Sequence, residues 1–239
     1  MFKLTDTNLD SIHFAGVNVA LNLYYDNVLA MYEMFDDKSI AKRQKPYIAL
    51  QMLMKDRSLL SQLDGDQQAQ LLIAIFKERF DRDLTAETSA NSLTKAETNK
   101  DNSNSGINED EKDKEAPVVD FTIDAPVIFS SFLSAYGINL YEQQGKLLWC
   151  HFIAMFHNLP DDSAMKKIIG YRTNDIPKRT EYNAEEVKHL RKMRDLYELP
   201  EAKAIREERE LKAYQVRSKA LRRVIEAQQE AREALNALD

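Results

Sequence analysis

Asp120 to Arg172, DFTIDAPVIFSSFLSAYGINLYEQQGKLLWCHFIAMFHNLPDDSAMKKIIGYR, decides the fold and contains the chain's only Trp and only Cys. Ile123 to Phe132 reads as a helix entry. Asp124 stands where its carboxylate can cap the first turn, and Pro126 stands where a missing N–H costs nothing. Val127, Ile128, Leu133 and Tyr136 form a one-sided apolar stripe that Phe129 and Phe132 widen. Gly137 is the expected left-handed stop. A second helix is predicted from about Glu142 to Asn158, with Leu147, Leu148, Phe152, Met155 and Phe156 three or four apart. After Asn158-Leu159-Pro160, Asp161 or Asp162 can cap a third helix that carries Met165, Ile168 and Ile169 to Gly170. Three short helices with wide apolar faces make a small helical core.

Outward toward the N-terminus, Asp10 to Tyr25 is the one stretch with strand alternation: Ile12, Phe14, Val17, Val19, Leu21 and Leu23, with one slip around Gly16. Such a slip fits a hairpin turn or a bulge. A two-stranded ribbon is marginal alone, so it must pack on helices or pair with another copy of the chain. Helical patterns follow over Tyr25 to Phe35, Arg43 to Lys55 and Asp66 to Phe80, the last opened by Asp64-Gly65-Asp66. Met31, Met34, Met52 and Met54 cluster here, either as part of a small core or as an adaptable partner-binding surface.

Thr85 to Ala116 has no aromatic residue and few branched apolar ones. Ordering a backbone costs roughly 1–2 kcal/mol per residue, more than this composition can offset by burial. The expected organisation is therefore a hairpin plus helices over 1–84, a disordered acidic linker over 85–117, a helical core over 118–177 and a helical arm over 178–239. The fold class is mainly α. Neither flank of the linker is large, so both can belong to one α-rich domain.

In the arm, helix is expected from Ala184 to Leu199-Pro200 and again from Glu201 onward, with Pro200 in the first turn. Tyr214, Leu221, Val224, Leu235 and Leu238 make a thin seam, with Arg217, Gln228 and Ala231 in the same repeat. That is too poor for a strong coiled coil, yet sufficient to lie on the core or on a partner helix.

The order Thr122-Ile123-Asp124-Ala125, Ser131-Phe132, Ala135 to Leu140, Trp149-Cys150-His151-Phe152, Leu159-Pro160 and Ile168 to Arg172 resembles the bacteriophage gene-product-fifteen family. The resemblance is clear over about Val118 to Pro177 and fainter over the N-terminal segment. Members come from long-tailed phages and prophages and are encoded near the tape-measure gene. The resemblance implies a tail assembly chaperone that acts in the host cytoplasm on the tape-measure protein and the tail tube protein. The alternative is a structural minor tail protein retained in the virion. The acidic linker is longer than the family pattern suggests.

Composition narrows the rest. The chain has 239 residues, 44% hydrophobic and 30% charged, with a net charge of -6. Its mean hydropathy is -0.52. A negative chain has no general attraction for nucleic acid or anionic membranes, and acidic residues interleave with the basic clusters of the arm. No apolar run approaches the ~18 residues of a membrane span. One Cys cannot form an internal disulfide, which fits a reducing compartment, and Cys150 reads as a buried structural thiol. His13, His151, His157 and His189 are scattered, the six glycines never cluster, and no HExxH, CxxC or Gly-x-Ser-x-Gly occurs. No enzymatic activity and no cofactor are expected.

Overall fold

The structure, a computed structural model, describes residues 5–6, 8–82, 84 and 116–236. All of the expected linker except Ala116 and Pro117 lies outside the described residues. The chain is mainly α-helical with one small antiparallel hairpin. Packing divides it into two units. One holds the described residues up to 84 together with Asp120–Gly170, and the other holds those of Ala96–Val119 and Tyr171–Asp239.

The first unit opens with strands β1 (Ser11–Phe14) and β2 (Val17–Ala20), paired from Ser11↔Ala20 to Phe14↔Val17. Ala15 and Gly16 form the turn with φ of 49° and 83°. Two successive left-handed residues give the turn whose twist matches a hairpin, and the slip in the alternation marks it. Ile12 and Val19 point inward while Val17 faces solvent.

Past β2 the chain stays extended from Leu21 to Tyr24, and Leu21, Leu23 and the Tyr25 that follows are buried. One edge of this strap bonds to the segment after helix α2 (Lys45–Leu53). Asn22 N–H donates to Leu53 O at 2.6 Å and Lys55 N–H to Ala20 O at 3.0 Å. The other edge bonds to the segment before helix α5 (Trp149–His157). Tyr25 N–H donates to Leu147 O at 2.9 Å and Trp149 N–H to Leu23 O at 2.7 Å. The strap thus carries isolated bridges on both sides, Leu21↔Met54 and Tyr24↔Leu148.

Helix α1 (Tyr25–Asp36) grows out of the strap and buries Val28, Met31 and Met34. A 3-10 turn over Arg57–Gln62 leads to α3 (Gly65–Arg79). Asp64 and Gln67 form a reciprocal capping box there, satisfying two of the helix's free N–H groups. The Arg79 guanidinium donates to Ser11 O, which ties the hairpin to the end of α3.

In the central stretch, α4 spans Ala125–Tyr136 and Gly137 ends it at φ 67°, as its sequence predicts. Asp124 behaves differently from the prediction. Its carboxylate makes no cap bond to α4; it accepts from Asp120 N–H at 3.0 Å, inside a turn where Asp120 accepts from Thr122 and Ile123. Leu133, expected on the buried stripe, is exposed, and Ser131 is buried instead. Its hydroxyl accepts from Met165 N–H at 3.1 Å, so the inner face of α4 serves as a polar dock for the next helix.

The helix predicted from Glu142 is shorter than its pattern. A 3-10 turn covers Leu140–Gln143, and α5 begins only at Trp149. Gly145 at φ 65° breaks the helix, and Leu147 and Leu148 are claimed by the strap. Helix α6 (Ala164–Thr173) is capped by Ser163, whose hydroxyl accepts from Lys166 N–H, not by Asp161 or Asp162, and it runs through Gly170.

Rings fill the interior. Trp149 meets Tyr32 at 5.7 Å, Phe121 at 5.8 Å, Phe152 at 5.5 Å and Phe80 at 6.5 Å. Phe152 stacks on Tyr25 and Phe132, both at 5.1 Å. Aromatic pairs of this kind add about 0.5–1.5 kcal/mol beyond the area they bury. The residues before and after the linker therefore share one aromatic core.

In the second unit, Arg172 donates to Tyr197 O at 2.7 Å and Val118 O at 2.8 Å. Arg194 of α7 (Ala184–Tyr197) donates to Tyr171 O at 3.1 Å, and Tyr171 stacks on Tyr197 at 6.1 Å. Val187 and Leu199 are buried. Helix α8 then runs 37 residues, Pro200–Asn236, starting on the proline expected in its first turn.

Replacing Trp149 with Ala empties the ring cluster and should cost roughly 3–5 kcal/mol in urea unfolding. Ala15→Asn relieves a left-handed alanine and should add about 0.5–1 kcal/mol, read as a higher melting temperature.

Candidate functional site

The partner-binding residues predicted from sequence divide by location. Met31 and Met34 lie on the inner face of α1 and Met54 lies at the strap bridge, all three buried, while Met52 is half-buried. These side chains fill the interior of the first unit. Tyr214 and Leu221 stand on α8 at 70% and 61% exposure. The side chains of Val224 and Leu235 lie outside the described residues.

Two surfaces stand out. The first is the outer side of α4 and the turn that follows it. Helix α4, APVIFSSFLSAY, contains no charged residue although one side of it meets solvent. Leu133 is exposed on it, Ile123 is exposed just before it, and Tyr141 is exposed just after. The Tyr141 ring lies 5.4 Å from Phe129. An uncharged face with exposed aliphatic and aromatic side chains has the composition of a protein-interaction patch.

The second surface is α8. Leu211, Tyr214, Val216 and Leu221 are all exposed. The helix is anchored at its start, where Glu198 accepts from Arg206 through both oxygens at 2.8 and 2.9 Å. Arg206 also reaches Glu210 at 3.1 Å. Bidentate pairing holds the Glu198 carboxyl below its ordinary range and keeps the Arg206 guanidinium charged. The pair fixes the direction in which α8 leaves α7.

Groups with chemical reactivity are dispersed. His13 is on β1, His151 and His157 are on α5, and His189 packs edge-on against Tyr171. Burial raises the Cys150 thiol above its ordinary value, which disfavours the thiolate. Among the described residues no three His, Cys, Asp or Glu side chains are placed to hold a metal ion. No helix among them is long and apolar enough to cross a membrane.

The fold is that of a mainly helical protein with exposed apolar side chains on and around α4 and on α8. The family model for Bacteriophage Gp15 protein matches residues 4–199, and the chain belongs to that family. The match takes in the first unit and α7, and α8 begins one residue beyond it. No curated protein and no solved structure matches the chain.

Glu198→Gln should loosen the first turns of α8, read as faster amide hydrogen exchange there, for less than about 1 kcal/mol. The Glu198 carboxyl is lowered in the folded protein, so its contribution is complete above the ordinary carboxylate range. It is lost as pH falls through the folded value. The difference between the two proteins should be constant near neutrality, shrink as pH falls below the ordinary carboxylate range, and vanish once it is below the lowered folded value.

Proposed function

We propose that this protein is a non-enzymatic tail assembly chaperone of a phage or prophage, working without a cofactor in the host cytoplasm. It binds the tape-measure protein, shields that protein's apolar helical segments, and passes it to the tail tube protein as the tube grows. The observation that carries this reading is the uncharged outer side of α4 with Ile123, Leu133 and Tyr141 exposed. It lies within the residues matched by a phage protein family. An apolar client helix can lie on such a face without stranding a charge, and Phe129 beneath Tyr141 backs it with aromatic area. The 37-residue α8 offers a surface for a second partner, and pairing of the hairpin with another copy is a route to self-association.

Co-expression with the tape-measure protein of the same phage tests the reading. The client should become soluble and co-elute with several copies of this chain in sizing chromatography. Leu133→Lys together with Tyr141→Lys should abolish that rescue while the melting temperature changes little, because both side chains are exposed. A client that stays insoluble, with this chain found instead in purified particles by mass spectrometry, would replace the chaperone by a structural tail component.

A further inference from the structure

From Leu211 to Ile225 helix α8 carries five basic residues, Lys212, Arg217, Lys219, Arg222 and Arg223, and no acidic one, in a chain whose net charge is -6. All five are exposed. Lys212 pairs with Glu208 at 3.3 Å. Arg217 and Lys219 have no acidic residue within four positions, the reach of a pair along one helix.

A seam runs through the same stretch in a different frame from the one through Val224. Leu211, Tyr214, Ser218, Leu221 and Ile225 follow a strict 3-4 spacing with no charge among them. Leu211, Tyr214 and Leu221 are 57%, 70% and 61% exposed. In this frame Arg217 and Arg222 occupy the two positions that flank the seam, where helical pairs exchange salt bridges and choose their partners. A second copy is disfavoured by those same positions. In a parallel in-register pair Arg217 would face Arg222 of the other copy, and in the antiparallel pairing that sets Leu221 on Ile225 the two Arg222 side chains would meet.

We infer that Leu211 to Ile225 of α8 docks an acidic amphipathic helix of a different protein chain. The seam is one side chain wide per turn, which suits a helix partner. An interfacial membrane helix needs a broader apolar face, and this one holds Ser218 at its centre and no Phe or Trp. Duplex nucleic acid would satisfy the arginines and leave Leu211, Tyr214 and Leu221 in water. Glu207, Glu208 and Glu210 before the stretch, and Glu226, Glu230 and Glu233 after it, would repel phosphates and anionic lipid. They also confine an acidic partner to the basic window. The inference does not rest on the tail-assembly reading, since it concerns only the chemistry of whatever α8 meets.

The test titrates the full chain with a labelled helical peptide about four heptads long, leucine in its seam and glutamate flanking it. The same peptide with lysine for glutamate, a short duplex DNA, and phosphatidylglycerol vesicles complete the set. The acidic peptide should bind and weaken with added salt, and the lysine peptide, DNA and vesicles should not bind. Arg217→Glu with Arg222→Glu should weaken the acidic peptide by roughly tenfold or more and create binding to the lysine peptide. Tyr214→Ala with Leu221→Ala should weaken the acidic peptide without creating that new binding. Circular dichroism should show the helix intact in both variants, since every altered side chain is exposed. Equal binding of both peptides, binding of DNA or vesicles in preference to the acidic peptide, or binding of no probe would overturn the inference.

Discussion

The first unit depends on four extended residues, Leu21 to Tyr24, which together with the first amide of α1 are bonded along both edges. On one edge lie Leu53 to Lys55; on the other lie Leu147 to Trp149. Side chains reinforce the join. The buried Tyr25 hydroxyl donates to Leu140 O at 2.6 Å, and desolvation raises its pKa, which keeps the proton on that donor. Asp26 accepts from Gly145 N–H at 3.0 Å, and Asn27 donates to Asn22 O and Met52 O, both at 2.9 Å. A segment with only two short strands nearby would otherwise leave buried amides unpaired, at a cost of about 1–3 kcal/mol for each such group. The strap thereby joins the residues before the linker to those after it, and the ring cluster around Trp149 closes over the join.

Local signals were legible wherever a residue type has one conformational purpose. Gly137, Pro200, the Asp64 cap and the hairpin slip at Gly16 each marked an element boundary correctly. What the pattern could not show was competition for the same backbone. Leu147 and Leu148 have ideal helical spacing with Phe152, yet the Leu147 carbonyl and the Trp149 amide on either side of Leu148 are taken by the strap across more than a hundred residues of chain. Leu133 fits the apolar stripe of α4, but Ser131 takes the inner place because its hydroxyl answers the Met165 amide. Asp124 looks like a cap and instead closes the preceding turn.

The surfaces follow a similar logic. The four methionines read as either core or partner surface, and the structure puts three of them inside, at positions next to the strap or on the inner face of α1. The faces left for partners differ in kind. The outer side of α4 has no charge at all, whereas the middle of α8 concentrates positive charge beside a narrow apolar seam in an otherwise acidic chain. Basic and acidic residues do interleave along the arm as a whole; the exception is the window between Glu210 and Glu226. On the proposed reading, the first face would take apolar segments without regard to charge and the second would select by charge.

Native-state hydrogen exchange at the strap tests the central claim most directly. The amides of Asn22, Tyr25 and Trp149 should exchange only with global unfolding, at the same free energy as amides in the middle of α3. Exchange of the Tyr25 and Trp149 amides at a clearly lower free energy, while Asn22 and α3 stay protected, would contradict it. The two sides of the linker would then be separable folding units, and the strap would be their contact, not their joint core.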